Sequence, residues 1–169
     1  MNCRAKIALI LFSIASVVAG GQAPSEDGTS AQGTQAHGYW VDPSSGLMWA
    51  GKDNGKDVSW KRAVKYCRNL RLAGFSDWRL ATLAELGAIY DRNANVPGLS
   101  GPGKESPETW HVKGNLFLTG NEWANNDSGR TSGYQYYFDF NEGKSNDQPF
   151  GPLYSFTGMR ALCVRGGSD

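Results

Sequence analysis

At 169 residues, with 17 Lys and Arg against 16 Asp and Glu, the chain carries a formal net charge of +1. That length suits one domain with its own core, and so even a balance of charge gives no general attraction to nucleic acid or to an anionic lipid surface. Three cysteines and two histidines are too few for the common zinc centres or for a His-dependent triad.

Arg4 and Lys6 precede an apolar run over 7–18, which ends in the small residues before Gly20. This is the layout of a secretory signal peptide, expected over 1–19 with cleavage after Ala19. Cys3 lies ahead of the apolar run and leaves with it. Loss of Arg4 and Lys6 leaves 15 basic residues against 16 acidic ones, a mature charge near −1. Residues 20–36 hold no aromatic residue and no Leu, Ile or Val, so they cannot bury apolar area to offset the entropy of ordering; they read as a flexible tether. The domain is then expected over 37–167.

Within it, two aromatic segments, 39–41 and 47–49, flank Asp42-Pro43-Ser44-Ser45-Gly46 and predict a β-hairpin. Asp53 to Asp57 has acidic spacing, but Val64 stands where a helix-loop-helix calcium site needs a glutamate, and a plain turn is expected. Ser59 is placed to cap a helix over 60–70, whose apolar positions Trp60, Ala63, Val64, Cys67 and Leu70 recur at helical spacing. Lys61, Arg62, Lys65, Arg68 and Arg71 then fall largely on the outer side, as a solvated face. Gly74 ends that segment, and Thr82 with Glu85 forms a capping box for a second helix buried through Leu83, Leu86, Ile89 and Tyr90. Residues 93–107 are rich in Gly, Pro, Ser and Asn and predict a long irregular loop. Strands are expected over 115–123, 133–140 and 159–165. Two helices early and an antiparallel sheet late make an α+β domain with long loops.

Cys67 faces the core of the first helix, and Cys163 lies in the last strand. As the even pair left in an exported chain they are expected to form one disulfide, closing most of the domain into a covalent loop; two buried free thiols are the alternative.

The order Trp40-Val41-Asp42-Pro43, Gly46-Leu47-Met48-Trp49, Tyr66-Cys67, Leu72 to Thr82 (LAGFSDWRLAT), Glu85-Leu86 and Arg160 to Gly166 (RALCVRG) resembles the Lcl C-terminal domain family. The resemblance covers nearly all of 37–167. It implies a C-type-lectin-like fold, in which a helix cysteine pairs with one in the final strand and long loops on one side form the usual ligand platform. It also implies an exported bacterial protein of binding or adhesion type. Ala81 departs from the family pattern, which usually has Pro there.

Residue chemistry adds less. Asp77, Trp78 and Arg79 at the entry to a capped helix read as scaffold, with Arg79 held by loop carbonyls or a carboxylate. Glu122, Asp127, Asp139, Glu142 and Asp147 show no spacing that singles out an acid and a base, and read as solvated loop carboxylates. The Glu-Pro-Asn or Gln-Pro-Asp loop of calcium-dependent lectins, followed by Trp-Asn-Asp, is absent, so neither calcium nor another metal is expected, nor any cofactor. Alternation over 133–140 puts Tyr134, Tyr136 and Phe138 on one face and Gln135, Tyr137 and Asp139 on the other. The expected ligand face combines exposed Trp123 and Tyr137 with Asn125, Asn126, Asp127, Asn146, Asp147 and Gln148 in adjacent loops. The functional expectation is an exported, non-catalytic binding module for a glycan or protein ligand. A carboxylate-based hydrolase or a structural envelope component are the alternatives.

Overall fold

The computed structural model describes residues 37–99, 107–125, 133–149 and 155–166. The expected signal peptide over 1–19 and tether over 20–36 lie outside these residues. The described part is α+β, built on two helices, two four-stranded sheets and a small hairpin.

The first hairpin forms as expected, with β1 (Tyr39–Val41) antiparallel to β2 (Met48–Ala50) and Trp40 opposite Trp49. Its turn is held by the carboxylate of Asp42, which accepts from the Ser44 N–H at 3.1 Å and the Ser45 hydroxyl at 2.6 Å. Helix α1 (Trp60–Asn69) buries Ala63 and Cys67. Ser59 occupies its N-cap position without a side-chain bond. The helix start is held instead by two indoles: Trp60 Nε1 donates to the Ala124 carbonyl at 2.9 Å, and Trp123 Nε1 donates to the Val58 carbonyl at 2.7 Å. α1 stops at Asn69, ahead of a tight turn in which Leu72 and Phe75 exchange backbone bonds. Helix α2 (Leu83–Ala88) carries the full capping box, with Thr82 and Glu85 each accepting from the other's backbone N–H.

In the first sheet β10 (Cys163–Arg165) lies between β2 and β3 (Arg79–Leu80), so the last strand closes on the first hairpin. The second sheet runs β8 (Lys144–Pro149), β7 (Tyr134–Asp139), β6 (Asn121–Trp123), β9 (Met159–Arg160), all antiparallel except the β6–β9 pair. β4 (Val96–Leu99), inside what reads as an irregular loop over 93–107, pairs with β5 (Pro107–Trp110), which starts at the end of that loop. The single segment expected over 159–165 is broken at Ala161-Leu162, and its halves join different sheets. The expected strand over 115–123 is cut down to β6, because residues 113–115 form a 3-10 turn.

Cys67 and Cys163 are bonded, with Cα atoms 5.3 Å apart across a sequence separation of 96. The bond ties α1 to β10 inside a core that also holds Ala63, Trp78, Leu80, Trp123 and Met159. A second core, under α2, gathers Trp40, Trp49, Leu86, Ile89, Trp110, Leu118, Phe138, Phe140 and Leu162. The second sheet is thus covered on both faces, by Trp123 and Met159 on one side and Phe138 on the other.

Candidate functional site

On α1 the helical period that buries Ala63 and Cys67 sends Lys61, Arg62, Lys65 and Arg68 outward, and all four are exposed. The helix contains no Asp or Glu, and none of these four forms an ion pair among the described residues. Lys61 and Lys65 are four apart, Lys65 and Arg68 three apart, so like charges stand next to one another on one ridge. Each such pair costs an isolated helix about 0.2–0.5 kcal/mol. Arg71, just beyond the helix, donates from Nη1 to the carbonyls of Leu70 at 3.0 Å and Arg68 at 3.4 Å and extends the cationic line. Beside it Phe75 is exposed under the Arg165 guanidinium, 3.6 Å from the ring centre. Asp77 accepts from Arg165 Nε at 2.8 Å and Nη2 at 3.0 Å, and these bonds hold its carboxyl below the usual range.

The ligand face expected from the sequence is only partly assembled. Register aligns Trp123, Tyr137 and Asn146 across β6, β7 and β8. Trp123, however, is fully buried, which corrects its reading as an exposed platform: its indole N–H reaches Val58 and its ring meets Tyr137 edge-on at 6.3 Å. Tyr137 is half-buried; burial, and then the charges of Asp139, Asp147 and Glu142, push its hydroxyl up. Asn146 and Asp147 are exposed, while Gln148 is half-buried and donates to the Ser155 carbonyl at 2.6 Å. These three sit on the edge strand β8, not in a loop. Asn125 is half-buried and bonded through its backbone to Ala81. Asn126 and Asp127 lie outside the described residues. β7 pairs without a break, so its two faces alternate, but neither is uniformly buried: Gln135 is buried on one and Tyr134 exposed on the other, on a sheet packed from both sides.

Trp78 is buried and Arg79 forks onto Glu85 at 2.8 and 2.6 Å. Burial would raise the Glu85 carboxyl, but the bonds from Arg79 and Thr82 outweigh it and hold it below the ordinary value of 4.5.

A site that the sequence reading missed lies inside. Glu122, read as a solvated carboxylate, is fully buried on β6 beside Arg160 of β9. The segment Asp53 to Asp57, read as a plain turn, supplies three polar ties to this region. Asp53 is buried and accepts from Gly55 N–H at 2.7 Å, from Thr119 N–H at 2.5 Å and from the Thr119 hydroxyl at 2.9 Å. Asn54 accepts from Ala161 N–H at 2.7 Å. Asp57 accepts from Gly158 N–H at 2.9 Å and is ion-paired with Arg160, whose Nε donates to the Thr119 hydroxyl at 2.7 Å. Gly120 permits the approach, since a Cβ there would stand 2.3 Å from the Gly158 carbonyl oxygen. Neither carboxyl oxygen of Glu122 has a partner of ordinary hydrogen-bond geometry among the described residues. Burial first, and then the Asp53 carboxylate, push Glu122 well above its ordinary value; burial also raises Asp53 against the bonds that lower it. Glu and Asp in polar surroundings carry no periodic signal, so only the alternation of β6, with Glu122 between Asn121 and Trp123, hinted at an inward side chain.

With the geometry in place, comparison with known families is decisive on one point: the Lcl C-terminal domain profile matches residues 38–165. The chain belongs to the Lcl C-terminal domain family. No curated protein matches it. In this Lcl C-terminal domain the matched span takes in the cationic helix, the disulfide and the buried acid pair. Among its described residues no three His, Cys, Asp or Glu side chains are grouped to hold a metal, and no helix is long and apolar enough to cross a membrane. Among the described residues the outer side of α1 exposes Lys61, Arg62, Lys65 and Arg68.

Proposed function

We propose that this Lcl C-terminal domain is an exported, non-catalytic binding module that takes an acidic polysaccharide on the outer face of α1. The observation that carries the reading is the line of exposed Lys61, Arg62, Lys65 and Arg68 on a helix without a single acidic residue. A net charge near zero argues against general attraction to anions, but local charge is what a ligand meets, and a one-signed face raises the local concentration of a polyanion. From Lys61 to Arg68 the ridge runs about 10 Å, the reach of a short stretch of linear chain. The like-charge spacing that costs the free helix stability is relieved when anionic groups sit between the cations. Export is supported by the disulfide, which belongs to oxidising compartments, and the bond from helix to final strand is in keeping with a C-type-lectin-like fold.

A hydrolase is the second reading, favoured by the two carboxyls of Asp53 and Glu122 lying together. Against it, both are buried, and a glycosidase needs its carboxyls open to substrate.

The test is binding of dextran sulfate, with neutral dextran as control. The expected result is saturable binding to the sulfated polymer alone, weakening steadily with salt. Charge reversal of Lys65 and Arg68 to Glu is expected to weaken it at least tenfold while leaving the thermal midpoint within a few degrees. Unchanged affinity in that variant overturns the assignment to α1. Weakening by Asn146→Ala instead returns the site to β8.

A further inference from the structure

Asp53 and Glu122 present a problem of charge that the fold must solve. Both carboxyls are buried in one polar cluster: Asp53 accepts from Thr119, whose hydroxyl accepts from Arg160, and Arg160 stands opposite Glu122 in the β6–β9 register while already ion-paired with Asp57. Of two interacting carboxyls that are both buried, one has its ionisation strongly disfavoured. A metal ion would relieve the repulsion, but Asp53 already accepts from Gly55 and Thr119 with both of its oxygens, and the Arg160 guanidinium beside them repels a second cation. A proton meets every constraint.

We propose that Asp53 and Glu122 hold one proton between them at neutral pH, carried on Glu122 and donated towards Asp53, and that this buried proton latches the 52–58 loop onto β6 and β9. Asp53 keeps the ionised role because its oxygens accept three donors, whereas among the described residues Glu122 is approached only by the Leu162 backbone N–H, outside ordinary hydrogen-bond geometry. The groups facing the pair are Arg160 from β9, with Asp57 behind it, Thr119 from the segment before β6, and Tyr66 from α1. Tyr66 is 37% exposed, yet burial and then the charges of Asp53 and Glu122 raise its hydroxyl, so the helix lies within electrostatic reach of the latch. When base removes the proton, the O–H bond of Glu122 breaks, the proton goes to hydroxide, and a second buried negative charge is left behind.

The sign follows. A carboxyl raised in the folded state binds its proton more tightly there than in the unfolded chain. Its stabilisation is complete below the ordinary value of 4.5 and is lost as pH rises through the folded-state value. The latch is therefore acid-tolerant and weakened by base.

Two measurements test this on the mature protein. Infrared spectra at neutral pH are expected to contain the carbonyl stretch of a protonated carboxyl, absent from Glu122→Gln and lost from the native protein as pH is raised. The thermal midpoint of the native protein is expected to fall across the same range. Glu122→Gln, which keeps a donor towards Asp53, is expected to remove that fall, and Asp53→Asn to move the infrared transition to lower pH. Absence of a protonated carboxyl at neutral pH overturns the proposal, as does an unaltered fall in Glu122→Gln. Should Glu122→Gln not fold, the infrared titration of the native protein alone decides.

Discussion

Glu85 and Glu122 are both glutamates drawn into the interior, and their partners send them in opposite directions. Glu85 receives a forked guanidinium and a backbone N–H, so its ionised form is the stable one. Its contribution is present above the ordinary value of 4.5 and is lost as pH falls through its lower folded-state value. Glu85→Gln is therefore expected to lose about 1 kcal/mol at neutral pH, the usual worth of a helix cap, and to flatten the acid limb of a stability-against-pH curve. Its fall towards high pH should be that of the native protein, because Glu122 is untouched. Urea midpoints taken at intervals from pH 3 upward check both limbs; an unchanged acid limb removes Glu85 from the account. The role of Glu85 was legible from Thr82 three residues earlier. That of Glu122 was not, because its burial is decided by β9 and by a loop some seventy residues away in sequence.

At the scale of elements, the helices and the first hairpin could be read because their signals are local: period, cap and turn residues all lie within a few positions. The strands that were missed have no such signal. β8 reads Lys-Ser-Asn-Asp-Gln-Pro, a polar run that pairs only because β7 offers it an edge, and β4 contains Pro97 and Gly98. Gly98 shows why: a Cβ there would stand 2.1 Å from the Trp110 indole, so what reads as loop composition is a close contact between strands. The same logic governs the only parallel pairing among the described strands. Asn121 N–H donates to the Gly158 carbonyl at 2.8 Å, and a Cβ on Gly120 would meet that same oxygen at 2.3 Å. Because the neighbour is backbone, it cannot turn aside. Gly120→Ala is expected to destabilise by about 1–3 kcal/mol by forcing β6 from β9, measured by chemical denaturation. A neutral outcome means that the two strands separate without cost and the latch across them carries the load alone.

For the whole molecule, the disulfide fixes where the cationic face can be. Cys67 and the exposed cations share one helix, so the bond to Cys163 anchors the inner side of α1 to the last strand while the outer side stays exposed. Closing a loop of this length stabilises by about 4–5 kcal/mol on the chain-entropy model, and loss of a native disulfide from a small exported domain costs about 2–5 kcal/mol. The double variant Cys67→Ala with Cys163→Ala is expected to lose about 2–5 kcal/mol of unfolding free energy, read from a lower denaturant midpoint. Under conditions where it remains folded, it should still bind dextran sulfate. The two indole bonds at the start of α1, from Trp60 to Ala124 and from Trp123 to Val58, hold the helix in place without the sulfurs. Stability and binding thus separate. A variant that is folded by circular dichroism yet no longer binds would mean that the bridge sets the orientation of α1, and the cations would then act only as a face aimed by the disulfide.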